Sequence, residues 1–469
     1  GPLFSVLFSV SLLAQSEPLV WYFGNNAGID FRSGSSVAIS NNPMISHEAT
    51  AVASDNNGDI LFFTNGVYVW NANHQVMPNG TGLLVGTPAI PGTSTQGALI
   101  VKKPGSNTLY YIFTTEAQNQ NPYPKAMRYS IVDMSLQGGM GDVTVKNALL
   151  IPSSTEKLTA VKHANGTDIW VIGHEKDSDA FYSFLVSSAG ILPPVVSTTG
   201  VTHVGIAVSY MRANKTGDKL AVSTNWQNME VFDFDKNTGI VSNPISLLNP
   251  NNSYGVCFSP NGELLYVSEN AFSGNPGTGI YQYDLTAGTT AAINGSRIMV
   301  GNGAGPGDYG AIEIGPDGKM YVARYGELYL GVIHNPDIVG LGCNYVDTGF
   351  NLIAQNGAIG LSQRGLPNFM YNLSFTSNGS CTTDSVDFQI PSALLYDSLF
   401  WDFGDTASGT QNYSQDFSPS HHYSTAGSYT VTLTVYHNGI SKTATNIIQV
   451  TALPIVDIGQ VDTCLLYTS

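Results

Sequence analysis

One turn pattern recurs along most of the chain, and it limits the fold more than any other feature. A small-residue segment, a turn with Gly, a Leu/Tyr/Val strand, a loop and an aromatic strand follow one another. The clearest copy is Ser259-Pro-Asn-Gly-Glu-Leu-Leu-Tyr-Val-Ser268, followed by Tyr281-Gln-Tyr-Asp284. Close relatives are Gly315-Pro-Asp-Gly-Lys-Met-Tyr-Val-Ala323 and Asn214-Lys-Thr-Gly-Asp-Lys-Leu-Ala-Val222, the latter followed by Val231-Phe-Asp-Phe-Asp235. Looser copies begin at Ser54, Lys103 and His163. The Asn-Gly and Asp-Gly pairs predict hairpins, because tight turns need positive φ angles. The strands that follow carry β-branched and aromatic residues. The turns return about every 45 to 60 residues, the length of one four-stranded propeller blade.

Six turns are visible. A seventh blade is predicted from both ends of the region, Trp21-Tyr-Phe-Gly24 and Gly365-Leu-Pro-Asn-Phe369. Joining the two ends in one sheet closes the ring and removes open edges. No stretch has a sustained helical period. The first fold expectation is therefore all-β: a seven-bladed β-propeller over residues 15–371.

Past residue 371 the pattern shifts to short alternating strands, such as Ser398-Leu-Phe-Trp-Asp402 and Tyr429-Thr-Val-Thr-Leu-Thr-Val435. Their spacing predicts a small antiparallel β-sandwich over residues 372–452. Residues 453–463 read as the start of a further immunoglobulin-like module. Cys464-Leu-Leu-Tyr-Thr-Ser469 looks like a translated sequencing adaptor rather than native protein. At the other end, residues 1–14 read as a signal-peptide remnant, an apolar run ending at Ala14 and too short to span a bilayer.

Charged residues make up only 11% of the 469, and the formal net charge is −16. A phosphate-binding surface needs Lys and Arg, so nucleic acid and anionic lipid are excluded as expected partners. The cysteines show no CxxC or Cys/His metal spacing. Cys257 reads as a buried thiol, and a Cys343–Cys381 bridge is left open.

The second domain closely resembles the polycystic-kidney-disease (PKD) family. The matching residues are Trp401-Asp-Phe-Gly-Asp405, Pro419-Ser-His-His-Tyr-Ser424 and Gly427-Ser-Tyr-Thr-Val-Thr-Leu-Thr-Val435. Thr406 stands where the family usually has Gly. The first domain resembles propellers in surface proteins of gliding bacteria that use type IX secretion. The residues that carry this are Trp21 to Phe31, Val69-Trp-Asn-Ala-Asn-His-Gln-Val-Met-Pro-Asn-Gly80 and Gly365 to Phe369. That resemblance implies an exported, surface-attached protein that meets the secretion machinery through a C-terminal domain beyond this fragment. It brings no catalytic residues.

The candidate ligand residues are His47, Glu48, His163, His174, Glu175 and His203, with His334 in a further blade. Inner strands of a propeller converge, so these groups either meet at one channel mouth or serve separately as hydrogen-bonded loop and strand residues. Trp226, in a polar loop, suits either sugar stacking or blade packing. Asp402 and Asp405 either hold calcium or accept hydrogen bonds within their own turn. Neither a completed Asp-box nor a Gly-x-Ser-x-Gly elbow is found. The expected function is non-enzymatic adhesion or recognition of an extracellular glycan or protein, without a cofactor unless calcium binds. The alternative is a carbohydrate-active enzyme.

Overall fold

The computed structural model describes residues 18–452 except 56–57, 87–88, 119–124, 206–207, 225–228, 249–252, 270–278, 303–307, 372–374, 380, 391–397 and 438–439. The signal-like segment, Trp226 and everything after residue 452 lie outside the described residues. The described residues form two compact units, one over 18–371 and one over 375–390 with 398–452.

The larger unit is a succession of seven antiparallel sheets in chain order. The first has three strands (Val20–Phe23, Ala27–Asp30, Val37–Ile39) and the second four (Ala51–Ser54, Ile60–Thr64, Tyr68–Asn71, Val76–Thr81). The third runs from Ala98–Lys102 to Asp142–Ile151. The fourth begins with Ser154–Lys162 and Ile169–Glu175. The fifth begins with Met211–Ala213, the sixth with Ser253–Phe258 and Leu264–Glu269, and the seventh with Tyr309–Ile314 and Met320–Arg324.

Burial falls across each sheet. Every side chain of Ser253–Phe258 and Tyr309–Ile314 is buried, whereas the fourth strands Val241–Leu247 and Tyr345–Asn351 are half exposed. First strands therefore face a common centre and last strands face solvent. Aromatic pairs join neighbouring sheets, as in Phe62–Tyr110 at 5.3 Å and Phe181–Phe232 at 5.0 Å between centroids. Trp21 of the first sheet meets Tyr321 of the seventh at 5.7 Å, so the last sheet packs on the first. The arrangement is propeller-like, and the chain is all-β apart from short helical turns such as Thr290–Gly295.

All six sequence-predicted turns form hairpins, with one difference. At each, the backbone closes three residues back, as in Gly262 N–H to Ser259 C=O (2.9 Å) and Gly318 N–H to Gly315 C=O (2.9 Å). Gly262 and Gly318 have φ of 79° and 78°, but Asn261 and Asp317 are not left-handed. The turn thus uses one left-handed residue, not a pair, as three-residue hairpin loops do. Asn261 instead turns its side chain to accept from the Glu263 N–H at 3.0 Å.

The smaller unit has a three-stranded sheet (Thr376–Asn378, Val386–Gln389, Ser420–His421) and a four-stranded one. The latter holds Tyr413–Ser414, Ser398–Asp402, Gly427–His437 and Ile440–Val450. Alternation puts Leu399, Trp401, Val431, Leu433 and Val435 on one buried face. Trp401 meets Phe375 at 5.0 Å and Phe388 at 5.5 Å, which joins the two sheets through one core. Cys257, Cys343 and Cys381 are free thiols, so the Cys343–Cys381 bridge left open by the sequence is not formed. Cys257 is buried as expected. Among the described residues no helix is long and apolar enough to cross a membrane.

Candidate functional site

Antiparallel pairing places the start of each first strand beside the end of each second strand. Ser154 pairs with Glu175, Ser253 with Glu269 and Tyr309 with Arg324. This end of the sheets lies opposite the Gly hairpins. Glu48, Gln96, His203 and Asp308 precede first strands, while His174 and Glu175 end a second strand. The structure therefore brings His47, Glu48, His174, Glu175 and His203 to one end of the unit. His163 does not join them. It sits in a Gly hairpin, where its Nδ1 accepts from the Asn165 N–H at 2.9 Å and its ring lies 5.6 Å from that of Trp170. His334 likewise follows a third strand at the hairpin end.

The centre is filled by the chain itself. Leu361 exchanges backbone bonds with Asn25 of the first sheet at 2.9 and 3.0 Å. Arg364 N–H donates to His47 C=O, and its own C=O accepts from Ala311 N–H at 2.8 Å. Asn368 donates from its backbone to Thr50 C=O and from its side chain to Leu158 C=O, and it accepts from Arg212 at 2.7 Å. Tyr371 donates to Glu313 and approaches Cys257 Sγ at 3.7 Å. One short segment thus touches the first strands of the fourth, fifth, sixth and seventh sheets. It can lie only on the axis between them. The expectation that Trp21–Gly24 and Gly365–Phe369 share a sheet is not met: the first sheet has no C-terminal strand, the two regions meet only at an isolated Asn25–Leu361 bridge, and residues 364–371 turn inward.

Around this axial segment lies a polar cluster. Tyr254 donates to Glu48 at 2.6 Å. Glu156, fully buried, accepts from Thr95 N–H and hydroxyl, both at 2.7 Å, and from Gln118 N–H at 2.6 Å. Burial and mutual repulsion raise the Glu48 carboxyl above its ordinary range, and burial raises that of Glu156. Lys157 donates to Val208 C=O at 3.0 Å, and burial pulls its ammonium down to about 7. Arg364 pairs with Asp308 at 2.9 Å and lies over the Tyr325 ring. Below them, Arg212 and Glu313 form a fully buried ion pair.

His174 and His203 stack with centroids 3.8 Å apart and planes 18° from parallel. The Nδ1 of His174 lies 2.7 Å from Glu175 C=O, so that nitrogen carries the proton. Ring lone pairs in nearly parallel planes do not converge on one ion. Among the described residues no group of three or more His, Cys, Asp and Glu side chains is placed to hold a metal.

In the smaller unit, Asp402 Oδ1 accepts from Gly404 N–H at 2.9 Å and from Asn412 at 2.8 Å. Asp405 Oδ2 lies 3.1 Å from His421 Nε2, with both side chains buried. Asp402 thus braces its own turn, and Asp405 links that turn to the strand Ser420–His421.

Sequence reasoning missed Glu156, Lys157, Arg212, Tyr254, Glu313 and Arg364. A signal was present. In a chain this poor in charge, a charged residue inside a first strand stands out, as in Ser154-Thr-Glu-Lys157 and Tyr309-Gly-Ala-Ile-Glu313. Such a strand is buried on both faces, so its charges must be paired or neutralised.

Residues 376–452 match the PKD domain. The smaller unit is accordingly referred to as the PKD unit. No curated protein matches the chain. Among solved structures, the chain is similar to virginiamycin B lyase from Staphylococcus aureus, at 13% identity over 74% of this chain and 92% of that one, TM-score 0.39. It is similar to Kuenenia stuttgartiensis hydrazine synthase at 14% identity, over 75% and 100%, TM-score 0.39. It is also similar to the Dos1 propeller at 10% identity, over 71% and 72%, TM-score 0.39.

Proposed function

We propose that the chain is a non-enzymatic recognition protein of the cell surface or secreted medium. The larger unit acts as a seven-bladed propeller whose face around Glu48 and Arg364 binds an extracellular glycan or protein. The PKD unit, as a β-sandwich, serves at least as a spacer. The observation that carries this is that the buried charges of the hub, Glu156 and Lys157, are already engaged by their own chain. Glu156 takes three donors from its own chain, Lys157 a backbone carbonyl and His174 another. A general acid or base must reach the proton of a substrate, and groups tied this way do not. The Arg364–Asp308 pair would hold polar ligand groups by charge-assisted hydrogen bonds, and the Glu48 carboxyl, raised toward its neutral form, by ordinary ones.

One observation favours the enzyme alternative. Glu48 is a carboxyl raised by burial, the state in which a carboxyl can donate a proton as a general acid. The two readings separate in one experiment. The chain is offered to a glycan array and, in parallel, to reducing-sugar assays on the glycans it retains. Recognition predicts retention without turnover, weakened about tenfold by Glu48→Gln. Sugar release by the parent that Glu48→Gln abolishes would establish the enzyme instead.

A further inference from the structure

On the PKD unit we propose a second ligand site, a groove of about 450 Å³ that binds an uncharged polysaccharide chain by stacking sugar rings on aromatic side chains. Its lining is Ser398, Leu399, Phe400, Gln415, Phe417 and Tyr436. The strand Ser398–Asp402 alternates, with Leu399 and Trp401 turned into the core and Ser398 and Phe400 turned outward. Tyr436 lies directly opposite Ser398 on the neighbouring strand. Phe400 stacks on Tyr413 with centroids 5.4 Å apart and planes 25° from parallel.

The distribution of aromatic rings is the first argument. The core already takes Phe375, Phe388, Trp401, Phe403 and Tyr423. Among the described residues four aromatic side chains are exposed: Phe417 at 39% and Tyr436 at 40% line this groove, and a third, Tyr413 at 48%, stacks on its lining Phe400. A cluster of exposed rings on one face marks an interaction surface rather than chance.

Rigidity is the second. Strand backbone carries Phe400 and Tyr436, and Trp401 Nε1–H donates to Asp416 C=O at 3.0 Å, which ties down the segment bearing Gln415 and Phe417. Preorganised rings lose little entropy on binding.

Charge selects the ligand. None of the six lining side chains is ionic, and the chain's net charge of −16 repels polyanions. Ser398, Gln415 and the Tyr436 hydroxyl supply donors and acceptors for ligand hydroxyls. Beyond the groove the same sheet face continues as a ladder of hydroxyls. Thr434 faces Thr443 with Oγ1 atoms 3.2 Å apart, and Thr432 faces Thr445. Apolar rings leading into a flat row of hydroxyls suit an extended neutral polymer. A pyranose ring presents C–H faces to the aromatics and hydroxyl edges to the ladder.

The proposal does not rest on the propeller face. The test is co-sedimentation of the whole chain with microcrystalline cellulose, chitin, insoluble xylan and mannan, with polygalacturonate gel as the anionic comparison. Retention by at least one neutral polysaccharide is expected. Phe400→Ala, Phe417→Ala and Tyr436→Ala should each weaken it about tenfold, at unchanged melting temperature, whereas Leu341→Ala, at an exposed position of the larger unit outside both sites, should leave it unchanged. If Phe400→Ala lowers the melting temperature, the two exposed positions decide. Retention by none of the neutral probes, or equal retention by the Phe417 and Tyr436 variants, overturns the proposal. So does a dimer in sedimentation that Tyr436→Ala disperses without any glycan retention, which would make this face an interface between copies.

Discussion

His174 and His203 show how burial converts a residue's ordinary chemistry into a pH dependence. Both rings are buried, and burial disfavours imidazolium, holding His174 at about 3 and His203 well below 6.5. In the unfolded chain each titrates near 6.5. Between these values the unfolded chain binds more protons, so acid favours unfolding. Stability is complete above pH 6.5 and falls as the pH drops toward the folded value. Glu48, Glu156 and Glu269 act oppositely, because their raised carboxyls take up protons in the folded state first. The contribution of His174 is therefore read as a difference. Thermal midpoints of the parent and of His174→Gln are compared between about pH 8 and pH 5. The parent's advantage should shrink steadily as the pH falls below 6.5. An advantage that stays constant across the range would mean that His174 is not held neutral in the fold.

The element that organises the larger unit is the axial segment, and its narrowest point is Gly365. A Cβ added there would lie 1.6 Å from the carbonyl oxygen of Glu48, a backbone atom that cannot swing away. Gly310 is closed in the same way by Arg364 C=O, at 2.3 Å. These glycines let two backbones touch at the axis, where no side chain fits. Gly365→Ala should cost about 3 kcal/mol or more, since the clash can be relieved only by moving the segment. Gly295→Ala, whose Cβ would enter open space, should stay within about 0.5 kcal/mol of the parent. Urea titration of both variants measures the difference. Equal midpoints would show that residues 364–371 do not occupy the axis.

At the scale of the molecule, each of the two units has a core of its own. Cys343 and Cys381 are free, so no bridge ties the units covalently. Trp401 is fully buried among Phe375, Phe388 and Phe403, all within the PKD unit. Its replacement by Ala costs on the order of 3–5 kcal/mol. A unit of this size holds roughly 5–10 kcal/mol in total. Calorimetry should show two transitions in the parent, with only the PKD transition lowered in Trp401→Ala. A joint fall would mean that the chain unfolds as one cooperative body.

The sequence by itself determined the local grammar of this protein. Hairpin turns follow from Gly at fixed offsets, inner strands from small and apolar runs, and the PKD core from the alternation around Trp401. Each depends on residues only a few positions apart, so each is visible as a pattern along the chain. It placed the two ends of the larger unit together, but the shared sheet expected of Trp21–Gly24 and Gly365–Phe369 reduces to an isolated bridge between Asn25 and Leu361. The contents of the centre were decided only by tertiary structure. Arg212 reaches Asn368 across 156 positions, Tyr254 reaches Glu48 across 206, and Asn368 reaches Leu158 across 210. Strand direction likewise sent His163 to the end opposite His47, His174 and His203, although all four looked alike in sequence. A repeat encodes how each sheet folds on itself. Which side chains meet around the central segment depends on how such sheets pack against one another, and that packing is a property of the tertiary structure rather than of any stretch of chain.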